Sequence, residues 1–332
     1  MAEKNSEAFD DEQMWQRASF LTRLVASSVR VSETAGSIIK GIMSGGDLKI
    51  IDKSSNGQAD LQTEADRAAQ YCIEKSLQEK FQNRLQIIGE EEVTSKVPNK
   101  ELAFSREVLT YESKLPEELR AIKEEDVVIW VDPLDGTSEF AAASKGRTPN
   151  LQQVTVLIGI AYKGRAIAGV VHQPYYSGNN SRTLWGIVGV GAFGLQVAPA
   201  ATERVIVTTR SHSTELVQTA LRSLEEKQLI DRVDKISGAG YKVLKCLEGA
   251  AAYVFASAGC KKWDTAAPEA LLISAGGMLT DISGRRINYT AGTQFPNTGG
   301  VLATAHWVKH QEYVDAIPDD VKSQLPEVAP KQ

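Results

Sequence analysis

The segment Trp130-Val131-Asp132-Pro133-Leu134-Asp135-Gly136-Thr137 runs from an apolar strand into a turn carrying two acids three residues apart. Pro133 fixes φ and has no N–H, so the turn is stiff. Gly136 permits close backbone approach, and Thr137 stands where a helix can begin. Two carboxylates, with a carbonyl freed at Leu134, can hold a hard cation. The N–H groups of Gly136 and Thr137 can receive a phosphate at a helix start. Read alone, the segment is also a plain strand–turn–helix connection with Thr or Asp as its cap.

Three further elements carry acids. Gly89-Glu90-Glu91-Glu92 ends a short strand, Trp263-Asp264-Thr265 precedes an alanine-rich helix, and Thr63-Glu64-Ala65-Asp66 opens another helix. Singly they read as a solvated loop, a helix cap and a capping box. Together, Glu90, Asp132, Asp135 and Asp264 lie at strand ends or helix starts, where α/β architectures gather ligand-binding groups. Clustered carboxylates repel one another and favour protonation, and divalent cations relieve that repulsion. No His or Cys accompanies them, so the donor set is all oxygen, suited to Mg²⁺, Mn²⁺ or Ca²⁺ rather than zinc.

The elements that must position these acids follow from periodicity. Apolar residues recur at helical spacing from Met14 to about Ile42, ended by Gly45-Gly46, and again from about Thr63 to Phe81. Short strands cover Gln86–Ile88 and Val127–Val131, with loop and a short helix between Val93 and Asp126. After Pro149, VTVLIGIAY, the turn Lys163-Gly164-Arg165 and AIAGVVHQ read as a hairpin, and LWGIVGVGAFGLQV as a glycine-rich strand pair. From about Ala201 strands and helices alternate, an α/β signature. The expected organisation is a flexible tail over residues 1–12, an N-terminal α+β domain over 13–200 with most of the acids, and a C-terminal α/β domain over 201–332. The last residues, PEVAPKQ, are expected to fray like the first.

The 332 residues are 42% apolar and 24% charged, with net charge -5, which suits a soluble globular chain and disfavours a nucleic-acid polymer as partner. Cys72, Cys246 and Cys260 are odd in number and widely spaced, as in a reducing compartment; the expected location is the cytoplasm. No apolar run approaches the ~18–20 residues of a membrane span, and nothing resembles a signal peptide.

In order and separation, Gly89-Glu90-Glu91, Asp132-Pro133-Leu134-Asp135-Gly136-Thr137 and Trp263-Asp264-Thr265-Ala266-Ala267 resemble the three signatures of the lithium-sensitive, magnesium-dependent phosphatase superfamily. That superfamily includes inositol monophosphatase and fructose-1,6-bisphosphatase. The match runs over about residues 15 to 320. Longer segments resemble the 3'(2'),5'-bisphosphate nucleotidases within it: Ala59 to Arg67, VTVLIGIAY, AIAGVVHQPYY, Thr209-Arg210-Ser211-His212-Ser213, Gly238-Ala239-Gly240 and YVFASAGCKKWDT.

The resemblance implies a layered αβαβα sugar-phosphatase fold, an α/β (α+β) arrangement. It implies two or three Mg²⁺ per site and inhibition by Li⁺. One Mg²⁺ would be held by Glu90, Asp132 and the Leu134 carbonyl, a second by Asp132, Asp135 and Asp264. Thr137, oriented by Asp66, would take the proton of the attacking water, and Gly136 and Thr137 would hold the phosphate. Thr209, His212, Gly238 and Lys242 would contact the nucleotide. The implied reaction turns adenosine 3',5'-bisphosphate into AMP, with the sulfated nucleotide also accepted, in a monomer that clears the bisphosphate by-product of sulfate transfer. The rival enzyme reading is an inositol polyphosphate 1-phosphatase acting on inositol 1,4-bisphosphate. A catalytically dead sensor is disfavoured because all the site acids and Thr137 are present. One departure stands out: Ser138 to Gln153 is longer and less acidic than in the nucleotidases, and it directly follows the metal loop.

Overall fold

A computed structural model describes residues 2–53, 61–92, 100–146, 150–210 and 214–328. The segment expected to be one helix is two, α1 (Ala2–Arg17) and α2 (Phe20–Gly45), separated at Ala18-Ser19. The residues expected as a flexible N-terminal tail are helical in backbone from Ala2, and Asp10 and Asp11 both pair with Arg106. Helix α2 buries Leu21, Leu24, Val25 and Ile39 on one stripe and stops where Gly46 turns left-handed at φ 80°.

A two-stranded ribbon, β1 (Ile51–Asp52) with β2 (Leu61–Gln62), precedes α3 (Glu64–Lys80) and β3 (Gln86–Gly89). Two short helices, α4 (Arg106–Leu109) and α5 (Glu117–Arg120), occupy the irregular stretch before β4 (Val127–Asp135). Strand β4 is longer than expected. After a bulge between Asp132 and Asp135 the chain pairs again, Asp135 opposite Thr155. Helix α6 (Thr137–Ser144) follows, then β5 (Thr155–Tyr162), β6 (Arg165–Ser177), β7 (Asn180–Ile187) and β8 (Gly191–Phe193). Among the described residues these strands form a six-stranded sheet ordered β3-β4-β5-β6-β7-β8, parallel only between β3 and β4.

The second half alternates as expected: β9 (Val205–Thr209), α7 (Glu215–Glu226), β10 (Arg232–Ile236), α8 (Ala239–Leu247), β11 (Ala252–Phe255) and α9 (Lys262–Ser274). It then adds β12 (Met278–Thr280), β13 (Val301–Thr304), α10 (His310–Ala316) and α11 (Asp319–Ser323). The second sheet runs β10-β9-β11-β13-β12, parallel through its first three strands. Helices α2 and α3 cover the first sheet, α8 and α9 lie between the sheets, and α7, α10 and α11 close the far side, giving a layered αβαβα fold. The C-terminal segment is held as far as Glu327, whose carbonyl accepts from Gln294 and Thr298; residues 329–332 lie outside the described residues.

Strand β5 is buried on both faces because α2 lies on one side and α9 on the other. Gly159, Gly169 and Gly186 are direct register partners across β5, β6 and β7, and all three face α9. A Cβ on Gly159 would stand 2.6 Å from Ala267 N, and one on Gly169 would collide with the Ala267 backbone. Tyr289 pins the arrangement: its carbonyl accepts from Trp130 Nε1, and its hydroxyl donates to Glu269 Oε2 of α9 at 2.5 Å.

Two outcomes follow from this packing. Gly169→Val should destabilise the chain by ~1–3 kcal/mol or more, read as a lower denaturant midpoint; an unshifted midpoint would mean that α9 can move away without cost. Burial holds the Glu269 carboxyl up at about 8, the Tyr289 hydrogen bond opposing it. Between the ordinary glutamate value and about 8 the folded chain therefore keeps a proton that the unfolded chain gives up. This group's contribution to stability is full at low pH and is lost as pH rises through about 8. Glu269→Gln should lose less stability than the parent between pH 6 and pH 9; parallel losses in denaturant melts would exclude this titration.

Candidate active site

The acids singled out by sequence converge from three elements. Glu90 follows β3, with its N–H bonded to Val131 O at 3.1 Å. Asp132 and Asp135 flank the β4 bulge, and Asp264 lies in the first turn of α9, accepting from Lys261 N at 2.7 Å. Glu90, Asp135 and Asp264 reach the walls of a cleft of about 200 Å³, joined there by Gly136, Thr137, Thr209, Gly238 and Lys242. Asp66, Asp132 and Leu134 are buried behind that surface, each 2% exposed or less. His212 lies outside the described residues.

Burial and mutual charge set the electrostatics. Glu90 is held up at about 8, by burial and then by Asp264, with Lys261 opposing. Asp132 is raised well above the usual carboxylate range, by burial and then by Glu90, Asp135 and Asp264. Asp264 stands at about 6, by burial and then by Asp135. Asp135 is also raised by burial, against the pull of Lys242 and of backbone N–H groups. Among the described residues, no three acidic, histidine or cysteine side chains are placed so that they enclose a metal ion. The set is nonetheless one of oxygen donors whose protonation is favoured first by burial and, for Glu90, Asp132 and Asp264, then by neighbouring acids, which a hard divalent cation opposes.

The turn between the acids is organised by hydrogen bonds. Asp132 Oδ1 accepts from Leu134 N at 3.0 Å, which closes the bulge. Gly136 adopts φ 92° as it enters α6. Thr137 Oγ1 stands 3.0 Å from both Asp66 Oδ1 and Leu134 O. With a single proton, it can donate to only one of them at a time. The two readings of Asp66 coexist: its Oδ2 accepts from Thr63 N at 2.7 Å as part of a capping box, while its Oδ1 faces Thr137. Burial raises the Asp66 carboxyl to about 6, opposed by its bonds from Thr63.

The second half supplies further lining residues. Thr209 ends β9, and Gly238, at φ 74°, starts α8. Asp135 reaches across to α8, accepting from Ala239 N at 3.0 Å and Gly240 N at 2.8 Å. A carboxylate at a helix N-terminus is favourable, and this bond joins the halves. Lys242, one turn along α8, is buried; burial lowers it and Asp135 opposes that. Its Nζ lies 3.2 Å from Gly238 O and 5.2 Å from the Tyr253 ring centre. Sequence reasoning missed Glu139, Gln153 and the Tyr253 and Phe255 walls; no local signal marks them, because their roles come from neighbours distant along the chain.

Residues 21–322 match the inositol monophosphatase family. The chain is 45% identical over 316 residues to 3'(2'),5'-bisphosphate nucleotidase 1 of Rattus norvegicus, covering 92% of this chain and 97% of that protein. It is 31% identical to the Golgi-resident adenosine 3',5'-bisphosphate 3'-phosphatase of Rattus norvegicus, covering 91% and 83%. Among solved structures it resembles the extragenic suppressor protein suhB of Bartonella henselae, with TM-score 0.63 at 19% identity over 87% of this chain and 96% of that one. That likeness concerns the fold alone.

Asp66→Asn should weaken the cap of α3 and lower stability by about 1 kcal/mol, read as a shift in urea midpoint at unchanged slope. A variant as stable as the parent would show that the Asp66 bonds to Thr63 contribute nothing.

Proposed function

This chain belongs to the inositol monophosphatase family, and from that premise we propose that it is a magnesium-dependent phosphatase releasing the 3'-phosphate of adenosine 3',5'-bisphosphate to leave AMP, with 3'-phosphoadenylyl sulfate as a further substrate. Members of the family are generally metal-dependent. The observation that carries the reading is one cleft lined by two unlike groups of residues. One group, here the phosphate wall, is Glu90, Asp135, Asp264 and the Gly136-Thr137 turn; the other, here the nucleotide wall, is Thr209, Gly238 and Lys242. A substrate with a phosphate at one end and a nucleoside at the other matches that division.

In this reading Glu90, Asp132, Asp135 and Asp264, with the Leu134 carbonyl, hold two or three Mg²⁺. When bound, such cations neutralise phosphoryl oxygens and make water more acidic. The remaining work falls to the chain. The α6 N-terminus at Gly136 and Thr137 receives the phosphate. Thr137 Oγ1 takes a proton from the attacking water as it passes its own to Asp66, 3.0 Å away. The raised affinity of Asp66 for a proton, with a carboxyl at about 6, suits it to that role. Lys242 offsets the charge of Asp135 and stands beside the nucleotide wall with Thr209. His212 is assigned to the same wall by sequence alone.

No described helix is long and apolar enough to cross a membrane. The three cysteines are free and buried, which accords with the proposed cytoplasmic location; the proposed working state is a monomer.

The test is phosphate release by purified protein with Mg²⁺ from adenosine 3',5'-bisphosphate, inositol 1,4-bisphosphate and inositol 1-phosphate, each with and without Li⁺. The expected result is fast, lithium-sensitive release from the nucleotide. Preference for an inositol phosphate would keep the acid wall and overturn the roles of Thr209 and Lys242.

A further inference from the structure

Glu139 lies two residues past Thr137, on the first turn of α6, and is only 5% exposed. A buried carboxylate there is costly unless paired, and its main partners come from the other half of the chain. Arg210, next to Thr209, donates through Nη2 to Glu139 Oε1. Ser237, next to Gly238, donates to the same oxygen at 2.9 Å, and Arg210 Nη2 also lies 3.2 Å from Ser237 Oγ. Asn150 reaches Glu139 Oε2 at 3.3 Å. Beside them Gln153 Oε1 accepts from Ser237 N at 2.9 Å. The Gln153 carbonyl is so close to Gly136 and Gly238 that a Cβ would stand 3.2 Å and 2.6 Å from it, respectively.

Glu139 thus ties the phosphate turn to the two segments that carry Thr209 and Gly238. Asp135 also crosses between the halves, but it belongs to the acid cluster; no such role competes for Glu139. We infer that Glu139, through Arg210 and Ser237, is a positioning residue that sets the spacing between the phosphate wall and the nucleotide wall, and so favours substrates long enough to touch both. The inference rests on the nucleotide reading above. A phosphate ester too small to reach Thr209 and Gly238 does not depend on that spacing, whereas a nucleoside bisphosphate does. The tie uses Asn150 and Gln153, which lie in the segment between Thr137 and β5.

The experiment compares Glu139→Gln, Arg210→Ala and the double variant with the parent, in steady-state kinetics with Mg²⁺. The substrates are adenosine 3',5'-bisphosphate and p-nitrophenyl phosphate. Arg210 is 45% exposed, so its truncation tests the tie even if Glu139→Gln folds poorly. The expected result is a roughly tenfold fall in the ratio of nucleotide to small-ester kcat/KM, the size of one charge-assisted hydrogen bond, carried by the nucleotide KM. The double variant should be no worse than either single variant, and Arg210→Lys should recover part of the loss. Equal losses on both substrates, or a lowered Tm with an unchanged ratio, would overturn the inference and leave Glu139 merely structural. A parent that releases no phosphate from the nucleotide would instead overturn the proposed substrate, and this inference with it.

Discussion

Helix α9 lies on bare backbone. Gly159, Gly169 and Gly186 align across three strands; the first two let Ala266 and Ala267 approach within van der Waals contact of the sheet, and Gly186 faces Leu271 and Ser274 further along α9. Interiors this dense do not adjust continuously, so the height of α9 above the sheet is set by that contact. The first turn of α9 carries Asp264, and the strand it is brought against, β4, ends in Asp132 and Asp135. This close packing therefore decides how near acids from the two halves come. Trp130 and Tyr289, joined by a hydrogen bond and an edge-on ring contact, lock the same corner.

That closeness has an electrostatic consequence. Each acid is raised first by burial and then by a neighbouring acid, apart from Asp135, where Lys242 and helix N–H groups pull the other way. The fold concentrates negative charge that it only partly neutralises with its own groups. Lys261 stands 3.9 Å from Glu90, Lys242 faces Asp135, and the α8 N-terminus receives both Asp135 oxygens. Such an arrangement lowers stability at neutral pH and is useful only if something else brings positive charge. The proposed cation binding and the architecture are thus two sides of one constraint.

Much of this was legible in the chain. The helices and strands that frame the site were visible as periodicity, since one apolar face per element is a local property. The first helix was misjudged at Ser19 because a helix break without Gly or Pro leaves the apolar spacing intact. The first dozen residues were misread as a tail because their helix is polar, and the pairing of Asp10 and Asp11 with Arg106 lies 96 and 95 residues away along the chain. Strand β4 was cut short because Pro133 reads as a terminator, whereas here it occupies a bulge after which pairing resumes.

By itself, the sequence determined which residues can do chemistry: an all-oxygen set of acids, a stiff Asp-Pro-Leu-Asp-Gly-Thr turn, and a threonine at a helix start. Those follow from side-chain type and backbone restriction, which need no partner. Tertiary structure alone decided the rest. It selected Glu90 for the cleft wall and turned Glu91 to Lys53 and Gln62. It gave Asp66 two roles, placed Asp135 on α8 across 104 residues, and buried Glu139 beneath Arg210 across 71. The reason is the range of the forces. Steric and capping preferences act over a few residues, while burial, charge coupling and strand register depend on distances through space that only the folded chain sets.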